Sequence, residues 1–481
     1  MNNQLIGRVA EQKVLKETMT TNKAELIALI GRRRVGKTYL IESFFQDKIV
    51  FQISGIQKMP RKGQLRNFAA QLTKFIRKRK DLPISIQAPT DWFDAILLLI
   101  DYLESIEETV KPVVFFDELP WLATHKSGFL AAFSYFWNSW AVKRSIIVVI
   151  CGSAASWMIK KVVHHKGGLH NRITRQLSLA PFTLTETEAY FEHRNLHFDR
   201  YQILQLYMTM GGIPHYLEAV RLGLSATQNI EQICFAPTGL LRDEFSKLYT
   251  ALFKDAEHHI KIIRTLATSR QGLTRNKIIN LGNFKDGGKI QTVLEELLQS
   301  GFITIYRPFG KKKKEKLFRL TDEYSLFYLQ FIEGKALEGA DTWHHLSQTQ
   351  AYKIWSGYAF ENICLKHIPQ IKKALEIGGI YSLSSSFYKK GTKEEQGLQI
   401  DLLIDRNDQT INLFEVKFYN EAFMMTKAYA ESLRDKMGIF RNTTKTRKQL
   451  SWVFLSTFGL KPNQHSSSII HKDLTMDDLF S

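Results

Sequence analysis

Two rhythms of apolar residues run along this chain. Short, nearly unbroken apolar runs occupy residues 25–30, 49–53, 112–116, 145–150 and 175–179, each bounded by Gly, Pro or charge. Their β-branched and aromatic content and their length predict buried strands of a parallel sheet. Between them, residues 39–45, 64–80 and 92–103 space their apolar positions for helices. Helical patterns continue to Met210, where Gly211-Gly212-Ile213-Pro214 breaks the chain and restarts it, since Gly permits the turn and Pro suits a first helical turn.

The pattern then changes. An amphipathic helix is predicted over 258–269, a second over 275–281 with Thr274 as its N-cap, and a third over 289–299 that stops at Ser300-Gly301. Strands at 302–306 and 316–320 flank a charged turn, so three helices lead into a hairpin, the order of a winged helix-turn-helix. Beyond a helix at 355–365, alternating strands at 399–404 and 411–418 enclose a turn over 405–409. In the second strand Leu413, Glu415 and Lys417 share one face, and two charges on so apolar a strand need compensation, for which Asp401 is placed. The expected divisions are 1–185, 186–250 (a helical lid), 251–335 (the winged helix) and 345–481.

Composition narrows this picture. A chain of 481 residues exceeds one core and predicts several domains. Its 66 Lys+Arg against 47 Asp+Glu, a formal charge of +19, point to an anionic partner, nucleic acid before membrane. Three widely separated cysteines form no disulfide framework and no metal-ligand spacing, which suits a reducing cytoplasm. No apolar run reaches membrane-spanning length, so a cytoplasmic protein with no membrane partner is expected.

The sharpest chemistry is Gly31–Thr38, GRRRVGKT, set between the first strand and the first helix. G-x-x-x-x-G-K-[ST] in that setting is the phosphate-binding P-loop rather than a basic turn. Gly31, Arg34 and Gly36 shape the loop, Lys37 would reach the β- and γ-phosphates, and the Thr38 hydroxyl would ligate Mg²⁺. Asp117 and Glu118 end an apolar strand about eighty residues later, at the sheet edge where ligands of open α/β sheets bind. Asp117 would hold Mg²⁺ and Glu118 would orient the attacking water of ATP hydrolysis. Ser153 follows another strand, either as a γ-phosphate sensor or as a helix N-cap. Arg172 or Arg175 could serve as an arginine finger. Use of that finger in trans would require a homo-oligomer.

Together, Arg8 in Ile-Gly-Arg-x-x-Glu, GRRRVGKT, VVFFDEL, CGSAAS, the Asn-Arg pair before a strand and Gly-Gly-Ile-Pro resemble the archaeal-type ATPase family, near the STAND branch of the AAA+ superfamily. The resemblance spans roughly residues 1–240. It implies that Arg8 lies near the adenine, that Arg172 is the finger-like arginine, and that Pro214 sits in a nucleotide-sensing lid. The family usually has Gly before that arginine, whereas Asn171 stands here.

The carboxyl-terminal third carries a second chemistry. Asp401, a short hairpin, then Glu415-Val416-Lys417 resembles the PD-(D/E)XK nuclease superfamily, with Ile400 in place of its usual Pro and Glu361 as its first-helix acid. The resemblance implies a restriction-endonuclease-like α/β domain in which Glu361, Asp401 and Glu415 hold Mg²⁺ and Lys417 activates water. The same residues would equally form a satisfied ion pair in an inert module. Lys311, Lys312, Lys313 and Lys314 at the hairpin tip would touch nucleic-acid phosphates, or simply be solvated. The resulting expectation is an α/β ATPase with a winged helix and a nuclease-like domain. It would couple ATP and Mg²⁺ to phosphodiester cleavage of nucleic acid, DNA before RNA. The competing readings are a nucleotide-dependent switch with an inactive docking domain, and an ATPase acting on a protein partner.

Overall fold

The five apolar runs of the first 180 residues become five parallel strands: β1 (Glu25–Ile30), β2 (Ile49–Ser54), β3 (Val113–Asp117), β4 (Ile147–Gly152) and β5 (Arg175–Ser178). They were established from a computed structural model that describes residues 5–80, 85–106, 111–163, 171–285, 287–311, 315–335, 341–391 and 397–481. The sheet order is β2-β3-β4-β1-β5, so β4 lies between the strand that leads into the loop at Gly31 and the strand that ends in Asp117. Every residue of β1, β3 and β4 is buried, which explains why these runs are continuous rather than alternating. An aromatic cluster fills one side, with Phe116 meeting Phe129, Phe133 and Phe136, and Trp92 edge-on to Phe129.

The chain divides into two compact units, Met1–Ala180 and Pro181–Ser481. In the second unit the helix Arg200–Met210 ends at Gly211, whose φ of +66° is one that residues with a Cβ rarely adopt. A short helix, Pro214–Leu217, restarts with Pro in its first turn. Gly212 is fixed by space as well, because a Cβ there would lie 2.0 Å from the Phe182 carbonyl oxygen. The same two residues share a backbone bond of 2.6 Å from Phe182 N–H to the Gly212 oxygen.

Three helices, Ala256–Ala267, Arg275–Leu281 and Gly288–Gln299, precede an antiparallel hairpin of β6 (Ile303–Tyr306) and β7 (Leu317–Leu320). The first helix begins and ends two residues earlier than its apolar spacing predicts. Thr274 caps the second, accepting from Lys277 N–H at 3.3 Å. The third packs Ile290, Val293, Leu294 and Leu297 inward.

The carboxyl-terminal part of this unit holds a mixed five-stranded sheet. Its members are β8 (Ser382–Lys389), β9 (Leu398–Arg406), β10 (Thr410–Lys417), β12 (Gln449–Ser456) and β14 (Ile470–Thr475). Their order is β14-β12-β10-β9-β8, antiparallel on the β8–β9–β10 side and parallel on the other. A small separate pair joins β11 (Phe423–Met424) to β13 (Leu460–Lys461). The strands flanking the hairpin turn run longer than expected, to Arg406 and from Thr410, because Gln409 takes the left-handed conformation (φ 63°) and tightens the turn. Among the described residues no helix is long and apolar enough to cross a membrane.

The close approach at Gly212 generates a test. Gly212→Ala should lower the unfolding free energy of the second unit by about 1–3 kcal/mol, read by calorimetry, since its methyl group would overlap a backbone carbonyl that has no rotamer to yield. An unchanged transition would show that the segment re-forms without that contact.

Candidate functional site

At the end of β1 the chain turns through Gly31–Gly36 and enters the helix Lys37–Phe45. Gly36 (φ 88°) and Arg34 (φ 72°) both adopt the left-handed region, which curls the loop. Gly31 has no room for a side chain, since a Cβ would lie 2.5 Å from the Leu179 carbonyl oxygen. Lys37 is buried, and its ammonium donates to the carbonyl oxygens of Gly31 (2.9 Å) and Arg32 (2.8 Å). Arg8, buried and itself left-handed (φ 55°), donates from Nη2 to the Val35 carbonyl at 3.2 Å. Arg8 therefore braces the loop from the start of the helix Val9–Thr20.

The acids gather at the same sheet edge. Asp117 Oδ2 accepts from the Thr38 hydroxyl at 2.8 Å and from the Ser54 hydroxyl at 3.3 Å, while Oδ1 accepts from Glu118 N–H at 2.9 Å. Hydroxyl and carboxylate oxygens in this arrangement are the hard donor set that suits Mg²⁺. Ser54 is an addition that motif reading missed. The signal was its place at the last residue of β2, in register with Asp117.

Glu118 Oε2 accepts both the N–H (3.2 Å) and the hydroxyl (2.9 Å) of Ser153, at the tip of β4. Ser153 is therefore not a helix cap. Ala154 occupies the cap position of the helix Ala155–Met158, with no side-chain bond. Burial raises the Glu118 carboxyl above the ordinary range, against the opposing pull of Lys37 and the Ser153 bonds.

Arg172 is exposed in the turn before β5, and Arg175 is partly buried with Nη1 on the Thr174 carbonyl. Asn171 has φ 55°, the conformation Gly takes freely and Asn tolerates best among other residues. The position before Arg172 thus keeps a glycine-like backbone without a glycine. The neighbouring residues 167–170 lie outside the described residues. Pro214 belongs to the second unit and opens its short helix there.

The second unit holds the other predicted group in two parts. Glu415 on β10 is clasped by Lys417 (3.0 Å), by Lys436 (2.9 Å) and by the Tyr429 hydroxyl (2.6 Å). Burial alone would raise its carboxyl, but the two ammonium groups and the hydrogen bonds hold it below the ordinary range. The compensation expected from Asp401 comes instead from the helix Lys427–Thr444, whose Tyr429 and Lys436 reach Glu415. Asp401 accepts from Gln399 at 2.6 Å.

Glu361, on the helix Gln350–Lys366, faces a different cation, with Arg319 Nη2 of β7 3.8 Å from its Oε2. Burial, reinforced by the charge of Asp401, pushes Glu361 up to about 8. Among the described residues no group of three or more His, Cys, Asp or Glu stands in a metal-holding arrangement, so Glu361, Asp401 and Glu415 are not gathered as one three-carboxylate set. Neither Arg319 nor Lys436 was legible beforehand, as each comes from an element distant in sequence. Lys311 forms an exposed pair with Glu315 at 3.7 Å, and Lys312, Lys313 and Lys314 lie outside the described residues. A cavity of about 660 Å³ reaches both Glu361 and Lys417, walled by Tyr201, Trp343, Tyr352 and Trp355.

Comparison with known proteins agrees with this geometry. Residues 5–220 match the family described as an ATPase domain predominantly from Archaea. An uncharacterised protein of Methanocaldococcus jannaschii is 23% identical over 419 residues, 86% of this chain and 87% of its own length. An ATP-binding protein of the same organism is 45% identical over 49 residues, 10% of this chain and 83% of that protein. Among solved structures, a Walker-type ATPase of Pyrococcus abyssi superposes with a TM-score of 0.52 at 18% identity, covering 68% of this chain and 97% of that one.

The raised Glu361 carboxyl fixes the sign of a pH effect. A carboxyl that binds its proton more tightly folded than unfolded costs stability as pH rises from the ordinary carboxylate range to about 8. Glu361→Gln should flatten that decline in urea unfolding between pH 5 and roughly pH 8. A wild-type profile already flat over that window would refute it.

Proposed function

We propose, starting from the archaeal-type ATPase domain that this chain carries over residues 5–220, that its first unit binds and hydrolyses ATP with Mg²⁺. The observation that supports this most is the contact chain Lys37, Thr38, Asp117, Glu118, Ser153 at one sheet edge. Thr38 and Asp117 would hold the Mg²⁺, which neutralises charge on the phosphate oxygens. Lys37 would exchange its two carbonyl partners for the β- and γ-phosphates, a charge-assisted contact stronger than those it gives up. Gly31, Arg34 and Gly36 would set the loop around the phosphates, and Arg8 would brace it beside the adenine. Glu118 would take the proton of the attacking water, and Ser153 would position it and sense the γ-phosphate. Arg172 would supply the finger-like positive charge, and Pro214 would belong to the nucleotide-sensing lid, within the four-part division set out above.

The second unit would carry the output. In this reading three helices and a hairpin form a winged helix that contacts nucleic acid through Lys311 and its lysine neighbours. The mixed sheet would cut phosphodiester bonds. Glu361, Asp401 and Glu415 would hold a divalent cation that polarises the scissile phosphate. Lys417 would orient the attacking water and stabilise charge on the phosphoryl oxygens. Support comes from the strand–turn–strand setting of Asp401 and Glu415 and from the cavity that reaches Glu361 and Lys417. A second reading, an inactive docking module switched by nucleotide, is favoured by the ion pairs of Glu415 with Lys417 and Lys436.

Two sets of variants decide between them. Lys37→Ala should abolish ATP hydrolysis. Glu118→Gln should retain ATP binding while losing about 10²–10⁴ in kcat, measured by phosphate release. Because the Glu118 carboxyl is raised, hydrolysis should begin to fall at a higher pH than an ordinary carboxylate would allow, and Glu118→Gln should lack that limb. For the second unit, single- and double-stranded DNA and RNA are incubated with Mg²⁺ and ATP, a non-hydrolysable analogue, or no nucleotide. Cleavage that Asp401→Ala and Lys417→Ala both remove supports the nuclease reading; no cleavage under any condition leaves the docking module.

A further inference from the structure

We propose that Arg319 is the resident counter-cation of the acids Glu361 and Asp401, and that a divalent cation enters their site only by displacing it. The proposal rests on reading those two acids as facing a metal, and it concerns how that site is controlled. Arg319 projects from β7, and its guanidinium lies over the Tyr358 ring at 4.8 Å and 3.8 Å from Glu361. It is 3% exposed, yet its Nε and Nη2 have no hydrogen-bond partner. A fully engaged arginine–carboxylate pair closes to about 2.7–2.9 Å and spends two N–H groups on the oxygens. Here the charge is held by enclosure, by the ring face and by the neighbouring carboxylates, with its directional bonds unmade.

That arrangement makes the arginine replaceable. A hard divalent cation on Glu361 would sit about 2.0–2.6 Å from the carboxylate oxygen. It would then share a poorly screened space with the guanidinium, so the two cations repel and only one can stay. Arg319 cannot leave by rotating alone. Its strand neighbours Phe318 and Leu320 are both buried on the opposite face, and Phe318 exchanges backbone bonds of 2.8 Å with Leu273. Removing the guanidinium therefore moves the hairpin, and the hairpin also meets the mixed sheet through Phe309 N–H on the Ser386 carbonyl at 2.7 Å. The tip with Lys311 lies between β6 and β7, so a polyanion that draws the tip outward also draws Arg319 from the acids. The lysine run and the acid site, which look unrelated in sequence, become two ends of one device.

The test is Mn²⁺ binding to the full chain without nucleotide, followed by the paramagnetic resonance of free Mn²⁺. Arg319→Met should tighten binding about tenfold or more relative to wild type, as removal of a like charge at this distance requires. Arg319→Lys, which keeps the charge on a smaller group, should fall between them. Adding Asp401→Asn to Arg319→Met should erase the gain, which locates the ion at this site rather than at Asp117. Equal affinity of wild type and Arg319→Met would overturn the proposal.

Hydrogen exchange of the wild type gives an independent reading that needs no variant. Saturating Mn²⁺ should speed exchange of the amides of Ile303–Leu320, and unchanged protection there overturns the proposal as well. The two hypotheses also separate. Arginine-dependent Mn²⁺ binding without cleavage of any nucleic acid sustains this inference and removes the nuclease reading. Cleavage with Mn²⁺ affinity indifferent to Arg319 does the reverse.

Discussion

The enclosed ammonium of Lys37, held by two carbonyl oxygens of its own loop, is the contact on which the first unit depends. A buried cation costs several kcal/mol unless something nearby answers it, and carbonyl dipoles answer only in part. The strands that surround it are apolar throughout, so the only compensating polarity lies at their carboxyl ends. There Asp117, Glu118, Ser54 and Ser153 are tied to one another and to Thr38. This edge is internally satisfied yet underfilled with negative charge beside Lys37. Such a site favours an incoming polyanion over any rearrangement of its own side chains. The sheet order matters for the same reason, since placing β4 between β1 and β3 is what lets Ser153 reach Glu118.

The second unit solves a similar problem with full pairs. Two acids that the sequence places on adjacent strands end up in different electrostatic company. Glu415 sits among ammonium groups and loses its proton easily, whereas Glu361 sits beside another carboxylate and holds its proton. Environments that push two carboxyls apart in this way are where acid–base roles are divided in catalytic sites generally. The partners that do the pushing, Lys436 and Arg319, come from a following helix and a preceding hairpin.

Legibility in the sequence followed from how local each determinant is. The loop at Gly31–Thr38 and the strand ending in Asp117-Glu118 were readable because strand, turn and helix starts are written in consecutive residues. The strand at 411–418 was readable from its alternation, which placed Glu415 and Lys417 on one face. What supplied their compensation was not, since Asp401 is adjacent in the hairpin while Lys436 is brought in by tertiary packing. Ser153 could not be resolved between two roles from sequence, because cap and sensor positions differ by one residue at a strand end. Asn171 is the reverse case. It reads as a departure from a family glycine, but its backbone adopts the conformation that glycine was there to permit.

The closeness of Gly31 to Leu179 ties the phosphate-binding loop to the far edge of its sheet. Leu179 N–H bonds to the Ile30 oxygen at 2.7 Å, and its own carbonyl occupies the space a side chain at Gly31 would need. The loop and the end of β5 are therefore a single mechanical part, with no soft side chain between them to absorb a shift. The chain leaves the first unit immediately afterwards, at Ala180. A shift of the loop of a few tenths of an ångström is thus delivered, undamped, to the peptide that leads into the second unit, and the missing β-carbon is what makes that linkage stiff.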